Sequence, residues 1–104
     1  MPSKKEYLDF VLEQLSGIDG ISYRAMMGEY IIYCKDKVVG GIYDDRFLVK
    51  PTKSARRLMV SAPLETPYEG AREMLLVEDI ENREFLKELF CEMYDELPPP
   101  KKKK

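Results

Sequence analysis

Two cysteines are the most reactive side chains in the sequence, and their surroundings limit the chemistry they could perform. Cys34 lies in an apolar run rich in β-forming residues, and Cys91 lies in a segment with helical spacing. A cysteine nucleophile needs an adjacent base, and the sequence has no histidine. A structural zinc site needs about four Cys or His ligands. We therefore expect two buried, reduced thiols, with no disulfide, no metal and no cofactor.

The remaining acidic and hydroxyl residues form no familiar catalytic pattern. The neighbouring carboxylates Asp44 and Asp45 fall where a tight turn is predicted, and Asp favours turns because its side chain forms local hydrogen bonds. The sequence has no Walker phosphate-binding loop, no GxSxG nucleophile motif and no EF-hand loop. We therefore predict that the protein is not an enzyme. A small enzyme built on Cys34 or on a carboxylate is kept as a third hypothesis.

A basic segment is the first candidate binding site. It has five basic side chains and no acidic one between positions 46 and 57. Lys53 and Ser54 are predicted at the start of a short helix, where backbone N–H groups favour anions. The functional interpretation is a small anion site, or contact with an acidic partner or nucleic acid, and the structural one is a solvated face. The basic residues are Arg46, Lys50, Lys53, Arg56 and Arg57.

The overall charge argues against nucleic-acid binding. The chain has 17 basic and 19 acidic residues, and four of the basic ones are the terminal run Lys101–Lys104. Removing those four from the 17 leaves 13 basic against 19 acidic residues, a formal charge of −6. A non-specific DNA-binding protein needs a positive surface that releases counterions from phosphates. Binding through the basic segment and the lysine tail is therefore an alternative that the charge disfavours.

Two further surfaces have a functional and a structural interpretation. Residues 78–96 contain eight acidic and two basic residues. This charge indicates either a solvated face or a surface that binds a partner with a basic patch. The basic segment of a second copy could be that patch. Tyrosines occur on each of three consecutive predicted strands and either pack across strands or stack bases. The tyrosines are Tyr23, Tyr30, Tyr33 and Tyr43.

The spacing of apolar residues predicts an α+β domain. Ser3 and Glu6 fit a capping box before a first amphipathic helix that ends at Gly17. Dense β runs with short polar turns follow from 18 to 50 and predict an antiparallel meander. Thr52 is predicted to cap a short helix, and residues 61–70 are predicted to form a loop. Residues 74–77 are predicted to form a last strand, and Asp79 or Asn82 to cap a final amphipathic helix.

This order predicts a two-layer sandwich. An antiparallel sheet of about five strands would carry the N- and C-terminal helices packed on one face. Residues 1–97 would form one domain, followed by a disordered Pro/Lys tail over 98–104. The sequence has no apolar run near the 18 residues that a membrane span requires and no visible signal peptide, so we expect a cytoplasmic protein.

Two motifs give the chain a family resemblance. Residues 23–30, Tyr-Arg-Ala-Met-Met-Gly-Glu-Tyr, look like the Arg-x-Met-Phe-Gly-Gly-x-Gly signature of the TfoX/Sxy competence regulators. Residues 41–50, Gly-Ile-Tyr-Asp-Asp-Arg-Phe-Leu-Val-Lys, are similar to that family's strand, Asp-containing turn, Arg and strand ending in Lys. The chain resembles the N-terminal domain of the family over most of residues 5–97. Met27 and Glu29 depart from the signature, where the family often has Phe and Gly.

The resemblance implies a fold and a function. It implies an α-β-α sandwich similar to that of type III secretion chaperones, and a role linked to transcriptional regulation of competence. We expect a stand-alone domain without the second, helical domain of the full-length regulators. We therefore expect a small bacterial adaptor that binds a protein partner or forms a homodimer. The resemblance implies a binding or structural role for Arg24, Gly28, Glu29, Arg46 and Lys50.

Overall fold

Three helices and six strands make up the part of the chain that the computed structural model describes, residues 4–26 and 29–98. The architecture is α+β, as predicted. The terminal tail lies outside the described residues apart from Pro98. The helices are α1 (Lys5–Gln14), α2 (Lys53–Leu58) and α3 (Arg83–Tyr94), and the strands are β1 (Ile21–Met26), β2 (Glu29–Cys34), β3 (Lys37–Tyr43), β4 (Arg46–Val49), β5 (Leu64–Glu65) and β6 (Met74–Leu76).

All strands join one antiparallel sheet in the order β1-β2-β3-β4-β6-β5. The first four form the predicted meander. The prediction of about five strands is one short. Residues 61–70 were expected to form a loop, but they contain β5. That strand has only two residues between Pro63 and Pro67. Proline has no N–H to donate to a sheet, so the pairing segment is too short to show a strand pattern.

Two tight turns close the hairpins of the meander, at the predicted positions. Lys35 and Asp36 have φ values of 51° and 73°, and Asp44 and Asp45 have φ values of 54° and 58°. Two-residue hairpin loops of this kind need positive φ at both positions because that twist matches the strands. Asp tolerates this backbone better than most residues. Residues 27–28, which include Gly28, lie outside the described residues.

The core joins the sheet to all three helices. The register places Ile32 opposite Gly40, Gly40 opposite Val49, and Ile42 opposite Phe47. The Phe47 ring lies 6.3 Å from that of Phe90, so α3 packs directly on β4. The packing of both terminal helices on one face stays a prediction. The core residues from the terminal helices are Leu8 and Val11 of α1, Leu15 at the C-cap of α1, and Leu86, Leu89, Phe90 and Met93 of α3.

The helix ends follow the predicted caps in two of three cases. The Thr52 side chain accepts a hydrogen bond from the Ala55 backbone, and that of Asn82 from the Phe85 backbone. The capping box at α1 is wrong, because the N-cap is Lys4 and makes no side-chain cap. The Lys4 backbone N–H instead donates to Asp45 Oδ1 at 3.0 Å. Across the described ranges, no helix is both long and apolar enough to span a membrane.

Candidate functional site

Strand β1 is the long open edge of the sheet. It runs for six residues and pairs in unbroken register with β2. It contains no proline and only one charged residue, Arg24. The opposite edge, β5, is two residues long. Proteins protect their sheet edges with short strands, prolines, bulges and charges, so β5 is protected and β1 is open to another strand.

The hydrogen-bond pattern shows which backbone groups of β1 face outward. Lys35 N–H donates to Gly20 O at 2.8 Å, so these residues form a hydrogen-bonded pair just before the strand. Hydrogen-bonded and non-bonded pairs alternate in antiparallel sheets, and the register continues from Ile21 opposite Cys34. The N–H and C=O groups of Tyr23 and Ala25 therefore point away from β2, toward the open edge.

Arg24 lies in the middle of this edge. It stands opposite Ile31, whereas Glu29 stands opposite Met26, so Arg24 and Glu29 are diagonal neighbours on one face of the sheet. Within 4–26 and 29–98, no ion pair or hydrogen bond joins the two side chains. Arg24 is exposed. An exposed cation without a carboxylate partner in the described chain can recruit one from another molecule.

The aromatic and apolar side chains of β1 are also accessible. Tyr23 is 44% exposed and Met26 is 46% exposed. The Tyr23 and Tyr30 rings meet edge to face at 6.0 Å. This geometry supports the interpretation that tyrosines pack across strands. One face of Tyr23 is nevertheless left for contact with another molecule.

Arg46 holds β4 and β5 together within the chain. Its Nη1 forms an ion pair with the Glu65 carboxylate. Its Nε donates to Tyr43 O at 3.2 Å, and its Nη2 donates to Thr66 O at 3.4 Å. The side chain is 29% exposed. These contacts give Arg46 a structural role at the end of β4.

The candidate residues that resemblance suggested do not form one compact surface. Arg24 lies on β1 and Arg46 on β4, with two strands between them; neighbouring strands lie about 4.8 Å apart. Glu29 is half-buried at the start of β2. Lys50 follows β4, and burial lowers the pKa of its ammonium group. Gly28 lies outside the described residues.

The anion site predicted at the start of α2 is occupied by the chain itself. The Glu96 carboxylate accepts hydrogen bonds from the backbone and side chain of Ser54. These bonds, led by the backbone N–H, lower the pKa of Glu96. Lys53 is exposed beside this contact. The sequence could suggest the N–H donors, but not the carboxylate 42 residues away.

Two further basic side chains also bind the chain's own groups. Arg57 Nη2 pairs with Glu92 Oε1 at 3.4 Å, and Arg56 Nε donates to Pro51 O at 3.2 Å. The acidic face of α3 thus meets the basic segment within one molecule. This contact weakens the hypothesis that the two surfaces join two copies.

The prediction that both cysteines are buried holds for only one of them. Both thiols are free; Cys34 is buried, and Cys91 is exposed. The inward positions of α3 are Leu86, Leu89, Phe90 and Met93, so position 91 lies beyond the buried stripe. Among the residues with described positions, no cluster of three Cys, Asp or Glu side chains could hold a metal ion.

Comparison with known proteins identifies the family. The model of the TfoX N-terminal domain matches residues 13–95. The chain belongs to the TfoX N-terminal domain family. It is also 31% identical over 105 residues to a Spirochaeta aurantia protein described as "Uncharacterized 12.7 kDa protein in trpE 5'region", across 100% of this chain and 91% of that protein. No solved structure matches it.

The TfoX match confirms the resemblance inferred from residues 23–30 and 41–50. It extends from α1 to the end of α3, and so contains the open edge, the Arg46 contacts and both cysteines. In this TfoX N-terminal domain the long open strand presents the outward backbone groups of Tyr23 and Ala25 together with an exposed arginine.

Proposed function

We propose that this TfoX N-terminal domain is a cytoplasmic regulatory adaptor that binds a partner protein and catalyses no reaction. The partner adds an extended strand to β1. The open edge carries this proposal, because Tyr23 and Ala25 present outward N–H and C=O groups on a six-residue strand. Membership of the TfoX N-terminal domain family supports transcription linked to competence as the regulated process.

Strand addition explains how a small domain could bind with specificity. Main-chain hydrogen bonds to the edge supply affinity, and alternate side chains supply selectivity. A strand added to β1 would place side chains beside Arg24 and Met26 on one face and beside Tyr23 on the other. Arg24 is exposed, so the partner strand is expected to carry Asp or Glu opposite it.

Nucleic-acid binding is the alternative, and the arrangement of the basic segment gives it less support. Arg46 and Arg57 already pair with carboxylates of the same chain. Excluding the lysine tail, the formal charge is −6. Binding of this kind would decline steeply with salt and would not depend on β1.

A proline variant separates strand addition from other modes of binding. Ala25→Pro removes an outward N–H from the edge and leaves the pairing with β2 intact. The partner is first captured from native lysate at physiological salt, with and without nuclease, and then purified. We expect Ala25→Pro to weaken its binding at least about tenfold, and the partner to protect the Tyr23 and Ala25 amides from hydrogen exchange.

Matched variants control for folding and for charge. Arg24→Ala should also weaken binding, whereas Arg72→Ala, which removes an exposed arginine outside the strands, should not. Thermal unfolding by circular dichroism checks that each variant folds. Strand addition would be overturned if Ala25→Pro bound the partner as tightly as the wild type and the partner did not protect the β1 amides from hydrogen exchange. Loss of the captured partner on nuclease treatment would favour nucleic-acid binding. A concentration-dependent dimer that forms in the wild type but not in Ala25→Pro would show that a second copy occupies the edge.

A further inference from the structure

One cleft between the sheet and α3 is lined by both cysteines. It has a volume of about 420 Å³ and lies between the loop after α1, the end of β2 and α3. Cys34 lines it from the sheet, and Cys91 lines it from the helix. The two residues are 57 positions apart in sequence, so only the fold places them on one cavity.

The two thiols differ in their access to solvent. Cys34 is 5% exposed, and its Sγ lies 3.9 Å from Asp19 O, to which it donates. Cys91 is exposed on α3. Burial raises the pKa of Cys34, Lys35 opposes that rise, and Cys91 adds to it. The two thiols therefore line one cleft with different access to solvent.

The walls of the cleft are fixed relative to one another. Lys37 Nζ donates to Tyr94 O at 3.1 Å and lies 4.1 Å from the centre of the Tyr94 ring. These contacts attach the β2–β3 hairpin to the end of α3. Lys35 and Lys87 also line the cleft.

We infer that Cys34 and Cys91 form a dithiol site that a peroxide converts to an intramolecular disulfide. The Cys91 thiolate attacks one peroxide oxygen, the O–O bond breaks, and the departing oxygen takes up a proton and leaves as water or alcohol. Cys34 Sγ then attacks the Cys91 sulfenic acid, the S–O bond breaks, and water leaves. The thiols lose two electrons and the peroxide gains them.

This order of events follows from exposure. Cys91 meets the oxidant first because it is accessible, and Cys34 acts as the resolving thiol because it is buried in the wall of the same cleft. A dithiol reductant reverses the reaction by thiol–disulfide exchange. The inference is independent of the proposed binding at β1.

The test is oxidation of the reduced full-length chain with hydrogen peroxide. We expect the two free thiols to fall to none, the intact mass to fall by two hydrogens, and a peptide map without reductant to show Cys34 joined to Cys91. Cys34→Ser should instead leave a Cys91 sulfenic acid that dimedone traps. Oxidation in concentrated denaturant should lose this selectivity, because unfolding separates the two sulfurs.

Three results would overturn the inference. The first is a wild-type chain in which both thiols stay free. The second is Cys91 driven to sulfinic acid while Cys34 stays reduced. The third is a disulfide between the Cys91 residues of two chains. The wild-type peptide map distinguishes these outcomes even if Cys34→Ser fails to fold.

Discussion

The carboxylate of Glu96 accepts two hydrogen bonds from Ser54, one from the backbone N–H at 2.9 Å and one from Oγ at 2.7 Å. The contact fastens the chain beyond α3 to the first turn of α2. Ser54 is buried, with 4% exposure. An internal carboxylate therefore fulfils the role that the N-terminus of α2 was predicted to offer to an external anion.

Glu96→Gln should lower stability in a manner that depends on pH. The folded state lowers the pKa of Glu96, so its contribution is full above the ordinary value of about 4.3 and is lost as pH falls through the folded-state pKa. Urea unfolding should show a deficit for Glu96→Gln at pH 7 that shrinks near pH 3. Glu69→Gln, in an exposed loop, is the control, and a deficit equal at both pH values would contradict the assignment.

Asp36→Gly should stabilise the protein. Asp36 has a φ of 73° in the β2–β3 turn, and a left-handed backbone costs roughly 1 kcal/mol for residues other than glycine. Glycine is also preferred at the second position of such turns. We expect a gain of about 0.5–1 kcal/mol in urea unfolding. Asp45→Gly should gain less, because Asp45 Oδ1 also accepts a bond from Lys4 N–H; an equal gain would argue against that anchor.

Gly40→Ala should be strongly destabilising. A Cβ at this position would stand 2.0 Å from Leu48 O and 2.7 Å from Val49 Cα, so β3 and β4 would have to move apart. Overpacking of this kind costs about 1–3 kcal/mol, and we expect the upper end. Gly17→Ala, with nothing within 4 Å, is the matched control. A thermal midpoint as high as that of the control would show that the sheet adapts.

Arg46→Ala and Arg24→Ala should have opposite effects. Arg46 is half-buried and bonded to its own chain, so its loss should cost about 1 kcal/mol of stability and leave partner binding unchanged. A double-mutant cycle with Glu65→Gln measures their coupling. Arg24→Ala should keep stability and lose binding. If Arg46→Ala instead lost binding at full stability, Arg46 would belong to the binding surface.

Apart from the capping box of α1, the elements that the sequence predicted well have local signals. The apolar spacing of α1 and α3, the two-residue turns at 35–36 and 44–45, and the caps at Thr52 and Asn82 each depend on neighbours along the chain. β5 was missed because two residues carry no alternation. The prediction that Cys91 is buried was wrong because position 91 does not belong to the apolar stripe of α3, whose buried positions are 86, 89, 90 and 93.

The candidate site was less accessible to sequence reasoning because it depends on distant residues. Arg24 was chosen from the sequence as a distinctive charge, but its position on an open edge follows from the order of the strands in the sheet. Arg46 meets Glu65, and Ser54 meets Glu96, across loops and helices. No spacing rule links such pairs, so a solvated face, a binding site and an internal contact look alike in sequence.

The order of the meander has a consequence for how the chain folds. β1 pairs with β2, β2 with β3, and β3 with β4, so each of these three pairings closes a short loop at small entropic cost. β6 and α3 must instead arrive across α2 and the 59–73 segment. We expect the hairpins to form first and α3 to dock late, so that pulse-labelled amides of β2 and β3 gain protection before those of α3. Simultaneous protection would indicate one concerted nucleus.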